Sequence, residues 1–272
     1  MTSCRLVLAL LAVLDAPELQ MNILQRTRIY WRFAALATGV AAFPVMLHAA
    51  DPGRHNVLSP AEKQQGWQLL FDGKTTNGWR GFQKTAFPAH GWAVADGCLK
   101  CLGQKGGDLV TTAKFTDFEL TWEWRLSPGG NSGVKYFVDE KRADMKGKVY
   151  GSAIGHEYQM IDDNNYPEPI TAKQHTAGLY DVIPPTHAQP KPVGEFNQSR
   201  LVVSGRHVEH WLNGALAVAY QADSAETAAG IASSKFKTVP GFADKIATPI
   251  LLQDHNTTVW FRDLKLRPLP AQ

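Results

Sequence analysis

Residues 199–221 read SRLVVSGRHVEHWLNGALAVAYQ. Apolar and polar side chains alternate in three short runs. The runs are broken by a turn signal at Ser204-Gly205 and by Asn213-Gly214, a pair suited to a type I′ hairpin turn. A helix would need apolar residues at spacings of three and four, and they are not there. The stretch predicts three consecutive antiparallel strands.

The same grammar recurs outward in both directions. GWQLLFDG (66–73) is a short apolar run ended by Asp72-Gly73, and GWAVADGCLKCLG (91–103) places two strands around Asp96-Gly97. In DLVTTAKFTDFELTWEWRLSP (108–128), Phe118, Leu120, Trp122 and Trp124 share one parity, so they share one face of a long strand. NSGVKYFVD (131–139), GHEYQMIDD (155–163) and PILLQDHNTTVWFRDLKLRPL (249–269) add further strands. The one helical candidate is 222–237, which Asp223 or Ser224 could cap. Segments 139–153 and 181–199 are long loops, the second rich in proline, and loops of that length often carry function. About a dozen short strands with almost no helix predict an all-β, single-domain jelly-roll β-sandwich, with a curved sheet offering a groove to an extended polar ligand.

The chain has 272 residues and a formal net charge of +3. From Met21, Arg26, Arg28 and Arg32 precede the apolar run Phe33 to Leu47, and LHAA follows. That is the pattern of a cleaved export leader, and the run is short for a membrane span. Residues 6–14 form another apolar run, so the true start is either Met1 or Met21. The expected organisation is a leader over 1–50, an arm over 51–65 and the sandwich over 66–270. Four of the 28 cations and two of the 25 acids lie in residues 1–50, which leaves the remainder at about +1. No basic stripe points to nucleic acid, and the expected location is the periplasm or the exterior, with no stable membrane insertion once the leader is removed. Cys98 and Cys101 sit three apart on a strand, hence on opposite faces, too far apart for a disulfide and without the second ligand pair that zinc needs.

The polar positions on these strands carry the chemistry. Glu157 and Gln159 alternate with Tyr158 and Met160; if the latter pair faces the core, Glu157 and Gln159 face an open concave surface. On the neighbouring strand Asn131 and Lys135 fall opposite the apolar Val134, Tyr136 and Val138, so an ion pair between Lys135 and Glu157 is expected. Asp162, Asp163 and Asn164 build either a turn or the edge of the groove, and their spacing lacks the bidentate glutamate of a calcium loop. His175 and His255, the latter beside Asp254, sit at strand ends and suit acid–base roles. Trp79, Trp92 and Trp211 are candidates for a sugar platform, whereas Trp122 has core parity. Nucleophile-elbow, phosphate-loop, dinucleotide and zinc-protease motifs are all missing.

Six blocks in order, 66–82, 117–138, 155–163, 175–185, 191–220 and 249–269, resemble the 3-keto-disaccharide hydrolase domain family. The family's usual glycine after QDH is Asn256 here. The resemblance implies a concanavalin-like sandwich that cleaves glycosides already oxidised at C3, and a separate oxidoreductase that makes them. It implies proton abstraction at C2, expulsion of the C1 oxygen and hydration. Glu157 or His175 would be the base, Lys135, Asn131 or a bound metal would steady the enolate, and His255 would protonate the leaving group. Gln159, Asp162, Tyr180, Gln253 and Asp254 would bind substrate. The scheme leaves a divalent metal open as cofactor, with Glu157 and His175 as its expected ligands. A non-catalytic carbohydrate-binding module and a two-carboxylate glycosidase are the alternatives.

Overall fold

A computed structural model describes residues 54–272. Thirteen strands form two antiparallel sheets: β1 (Gln68–Leu69), β2 (Trp79–Gly81), β3 (Trp92–Ala95), β4 (Cys98–Leu102), β5 (Leu109–Thr111), β6 (Phe118–Leu126), β7 (Asn131–Tyr136), β8 (His156–Ile161), β9 (Asn197–Ser204), β10 (His207–Leu212), β11 (Ala215–Gln221), β12 (Leu251–Leu252) and β13 (Thr258–Pro268). The larger sheet runs β11, β10, β9, β6, β13, β4, β3, with β1 also on β13; the smaller runs β2, β5, β12, β7, β8. A bulge between Arg262 and Lys265 breaks the β13 register. β4 pairs with Thr258 to Phe261 and β1 with Lys265 and Leu266, so two strands share one edge of β13 end to end.

The expected alternation in β6 is observed. Phe118, Leu120, Trp122, Trp124 and Leu126 are all buried between the sheets, and Trp122 meets Tyr158 edge to face at 4.9 Å. The hairpin chemistry also holds. Asp96 and Gly97 take φ of 53° and 69°, and Asn213 and Gly214 take 49° and 84°, positive at both central positions as type I′ requires. Asn256 replaces the family glycine at φ 59°, a conformation asparagine tolerates. A short helix α2 (Ala225–Ala232) starts from the Ser224 cap, within the predicted window.

Two expectations are corrected, on the tryptophans and on β8. The described part of the arm docks on the sandwich. It carries helix α1 (Pro60–Gln64) with a Ser59/Glu62 capping box, and Asn56 exchanges backbone and side-chain hydrogen bonds with Asp263. Trp79 and Trp92 form no sugar platform: both are buried, with Nε1 donating to the Leu70 and Gly107 carbonyls at 2.6 and 2.7 Å. Trp122 is core as expected.

The second correction concerns β8. All six of its residues are buried, Glu157 and Gln159 included, so the outer face of the small sheet is not open there. Segment 176–183 lies along the free edge of β8, where Ala177 donates to Gln159 O (2.8 Å) and Tyr180 to Glu157 O (3.0 Å). Loop 139–153 folds across the face, and Val110, Val138, Ala153 and Leu251 form a second small apolar cluster there. Cys98 and Cys101 are free and buried; burial pushes the Cys101 thiol up to about 12. The expected leader, 1–50, lies outside the described residues.

Candidate active site

Against the outer face of the small sheet lies a cavity of about 950 Å³. Loop 81–90 forms one wall, Gly151 to Ala153 another, and Lys135, Asp108, Gln253 and Asp254 line the sheet side. The two walls are tied together. Arg80 clasps Glu140 through two hydrogen bonds of 2.7 and 2.6 Å, and Gln83 Nε2 donates to the Glu140 and Tyr150 carbonyls. The guanidinium beside Glu140 holds that carboxyl below its usual range.

Register sets the site. Glu157 on β8 faces Lys135 on β7, and Gln159 faces Gly133. Gln253, just past β12, donates its N–H to Gly133 O at 3.0 Å. Glu157 leans over Gly133, where a side chain would overlap its carboxylate and come within 2.9 Å of its Cγ. Glycine is therefore what lets Glu157 lie flat on the sheet toward the cavity. Its Oε2 is 3.4 Å from Lys135 Nζ, which also donates to Ala153 O at 3.2 Å. The expected ion pair is thus present, but buried. On either side of Gly133 the Oε1 atoms of Gln159 and Gln253 are buried without a hydrogen-bond partner among the described residues. Buried acceptors are rarely left so, and both fit a ligand rich in hydroxyl donors.

The predicted residues divide into two sets. Lys135, Gln253 and Asp254 line the cavity, and Glu157 joins them through Lys135. Asp254 is also a loop tie: its oxygens accept from Gly107 N (3.1 Å) and Asn256 N (3.0 Å). The others are not among the lining residues. Asp162 is a turn builder that accepts from Gly129, Asn164 and Asn165. Burial pushes its pKa up, and these hydrogen bonds bring it below the ordinary value. It borders a second cavity of about 380 Å³ beside loop 190–197. Asn131 bonds Thr257 Oγ1 through its backbone, at the far end of β7. His175 sits 3.4 Å from Asp163 with a half-exposed ring, and burial raises the Asp163 carboxyl. Tyr180 lies under the Lys235 ammonium (4.3 Å). His255 is exposed at the loop tip. Among the described residues, potential metal ligands gather in threes only at His55, Glu123 and Asp263, so Glu157 and His175 do not form a ready-made metal cluster.

Sequence reading missed Asp108. It precedes β5 with the parity of Val110, which places it on the outer face beside Gln253. Its Oδ1 accepts from Asp254 N at 2.9 Å, and burial pushes its carboxyl up, against the lowering pull of Lys135. The signal available was parity: a lone acid in phase with the outward residue of an apolar run.

A jelly-roll sandwich with a polar cavity on one sheet, lined by Lys135, Asp108 and the orphaned amide oxygen of Gln253 with Glu157 behind Lys135, suits a carbohydrate-active type of protein. The comparisons agree. The chain belongs to the 3-keto-alpha-glucoside-1,2-lyase-like domain family, which matches residues 66–267. It is 34% identical over 236 residues to a 3-keto-disaccharide hydrolase of Bacteroides thetaiotaomicron, covering 75% of this chain and 79% of that one. A candidate glycosyl hydrolase of Parabacteroides distasonis superposes with TM-score 0.70 at 31% identity, covering 80% of this chain and all of that one. A second from the same organism, at 21% identity and TM-score 0.55, shares the fold over 75% of this chain and 99% of that one.

Proposed function

We propose that this protein cleaves the glycosidic bond of glycosides carrying a ketone at C3, by elimination across C1 and C2 followed by hydration. The observation that carries the reading is the buried Glu157–Lys135 pair at the cavity, flanked by two unpartnered amide oxygens. A C3 ketone acidifies the C2 proton. Glu157 takes that proton, and the electron pair enters the enolate, whose oxygen Lys135 stabilises. The enolate then collapses: C3=O reforms, C1=C2 forms and the C1–O1 bond breaks. Water adds at C1, and Glu157 returns the proton to C2. The amide oxygen of Gln253, on the cavity wall, accepts from a sugar hydroxyl and orients the ring. His175, paired with Asp163, and His255, exposed at a loop tip, are given no role in this step.

The name of the Bacteroides relative supports the substrate class. The same proposal takes residues 1–50 as an export leader, on their arginine-then-apolar pattern, and requires a separate oxidoreductase to supply the ketone. The test incubates the purified full-length chain with 3-keto-trehalose and with trehalose in deuterated water, with and without chelator. Cleavage of the keto sugar alone, with deuterium at C2, is expected. Cleavage of plain trehalose would replace this mechanism with two-carboxylate hydrolysis. Binding without cleavage would favour a carbohydrate-binding module. Activity that the chelator abolishes would give a metal the role assigned here to Lys135.

A further inference from the structure

We propose that Asp108 is the acid that protonates the departing glycosidic oxygen, and that its carboxylate then accepts the proton of the water adding at C1; this rests on the elimination reading above. The C1–O1 bond cannot break to release a sugar alkoxide without a proton, and neither Glu157 nor Lys135 can give one while serving as base and enolate partner. The donor must reach the cavity, hold a proton and stand across the ring from the base.

Asp108 meets these conditions. It lines the cavity. Its Oδ1 is fixed by the Asp254 N–H, while its Oδ2 has no hydrogen-bond partner among the described residues. It lies beside Gln253, whose other neighbour in the sheet is Gly133, the residue beneath the Glu157 carboxylate. Two strand spacings, about 10 Å at the backbone, therefore separate the Asp108 and Gly133 positions. A pyranose ring fits between, with C2 toward Glu157 and O1 toward Asp108.

The surroundings push the Asp108 carboxyl above its ordinary range. Burial raises Asp108, and the acids Glu157 on β8 and Asp254 after β12 raise it further, while Lys135 on β7 and the Asp254 N–H oppose them. Lys84 and His90 stand on the facing wall. The rivals are worse placed. Both oxygens of Asp254 are occupied by backbone N–H groups, so neither is free to face a leaving oxygen. His255 is exposed on the loop tip. The proton balance closes. Asp108 gives its proton to O1 and regains one from water, and Glu157 gains one from C2 and returns it. The net change is addition of one water.

The test is Asp108→Asn in the full-length chain. Asparagine keeps the acceptor for Asp254 N–H, so folding should be undisturbed. Turnover of 3-keto-trehalose should fall by ~100-fold or more. Single-turnover release of 4-nitrophenolate from 4-nitrophenyl 3-keto-glucoside, which precedes hydration and needs no proton, should fall less than ~10-fold. Deuterium exchange at C2 should persist, and the alkaline limb of kcat/KM against pH should vanish. Equal loss on both substrates, or an unchanged alkaline limb, overturns the role of Asp108 and leaves the elimination reading standing. Absence of C2 exchange in the wild-type chain overturns the elimination reading, and the Asp108 role with it.

Discussion

Replacing Glu157 by glutamine tests the site and the fold together. The substitution keeps the shape and removes the charge. If Glu157 is the base, the rate falls by ~100-fold or more, equivalent to roughly 2.7 kcal/mol of transition-state stabilisation. Because the carboxylate is buried 3.4 Å from Lys135, stability must fall as well. The ammonium would keep only the Ala153 carbonyl and the glutamine oxygen. Removing one partner of a buried pair costs ~3–5 kcal/mol, and the retained acceptor argues for about 3 kcal/mol. Domains are typically stable by ~5–15 kcal/mol, so the variant should still fold. Adding Lys135→Met removes the stranded charge, and the double variant should regain most of the stability and none of the activity. Urea unfolding followed by tryptophan fluorescence measures the first effect, and product formation from a 3-keto-disaccharide measures the second. A single variant as stable as wild type would show that the pair is not buried as described. A rate within ~10-fold of wild type would remove Glu157 from the role of base.

Gly133→Ala should reduce activity more than stability, because the new methyl group displaces the Glu157 carboxylate; equal kcat in variant and wild type would refute that dependence. The core gives a pH prediction. His156 and His210 are fully buried beside Tyr136 and Tyr220, and burial lowers them to about 3 and about 4. Both stay neutral in the fold, so the unfolded chain binds more protons below about pH 6.5. Their contribution is present above that pH and is lost as pH falls toward the folded values, by ~1.4 kcal/mol per pH unit for each. The raised Asp108 and Asp163 act in the opposite sense, so the readout is a comparison. His210→Gln should flatten the slope of stability against pH between 6 and 5 by about 1.4 kcal/mol per unit, as urea denaturation would report. An unchanged slope would place the titration elsewhere.

The strands were readable because their information is local. Phe118 to Leu126 alternates over a whole strand, and Asp96-Gly97 and Asn213-Gly214 encode their turns in two residues each. Glu157 and Lys135 stood out by parity alone, and pairing across β7 and β8 follows from it. Their burial was not readable. It depends on loop 139–153 and segment 176–183, whose paths over the sheet are set by contacts far away, such as Arg80 with Glu140. The tryptophans misled for a related reason: the partners of Trp79 and Trp92 are backbone carbonyls, and every residue has one. Asp108 was hidden by the apolar run it introduces. His175 and His255 attracted notice through chemical type, and type says nothing of distance.

The position of β13 has a consequence for how the chain is made. It is the last strand in sequence, yet it lies inside the larger sheet between β6 and the pair formed by β4 and β1. The arm that docks on its bulge is 208 residues away, from His55 to Asp263. A ribosome must therefore release nearly all of the sandwich before its larger sheet can close. Contacts so remote in sequence slow folding, and the nascent chain would expose the flanks of β6 and β4 for as long as synthesis lasts.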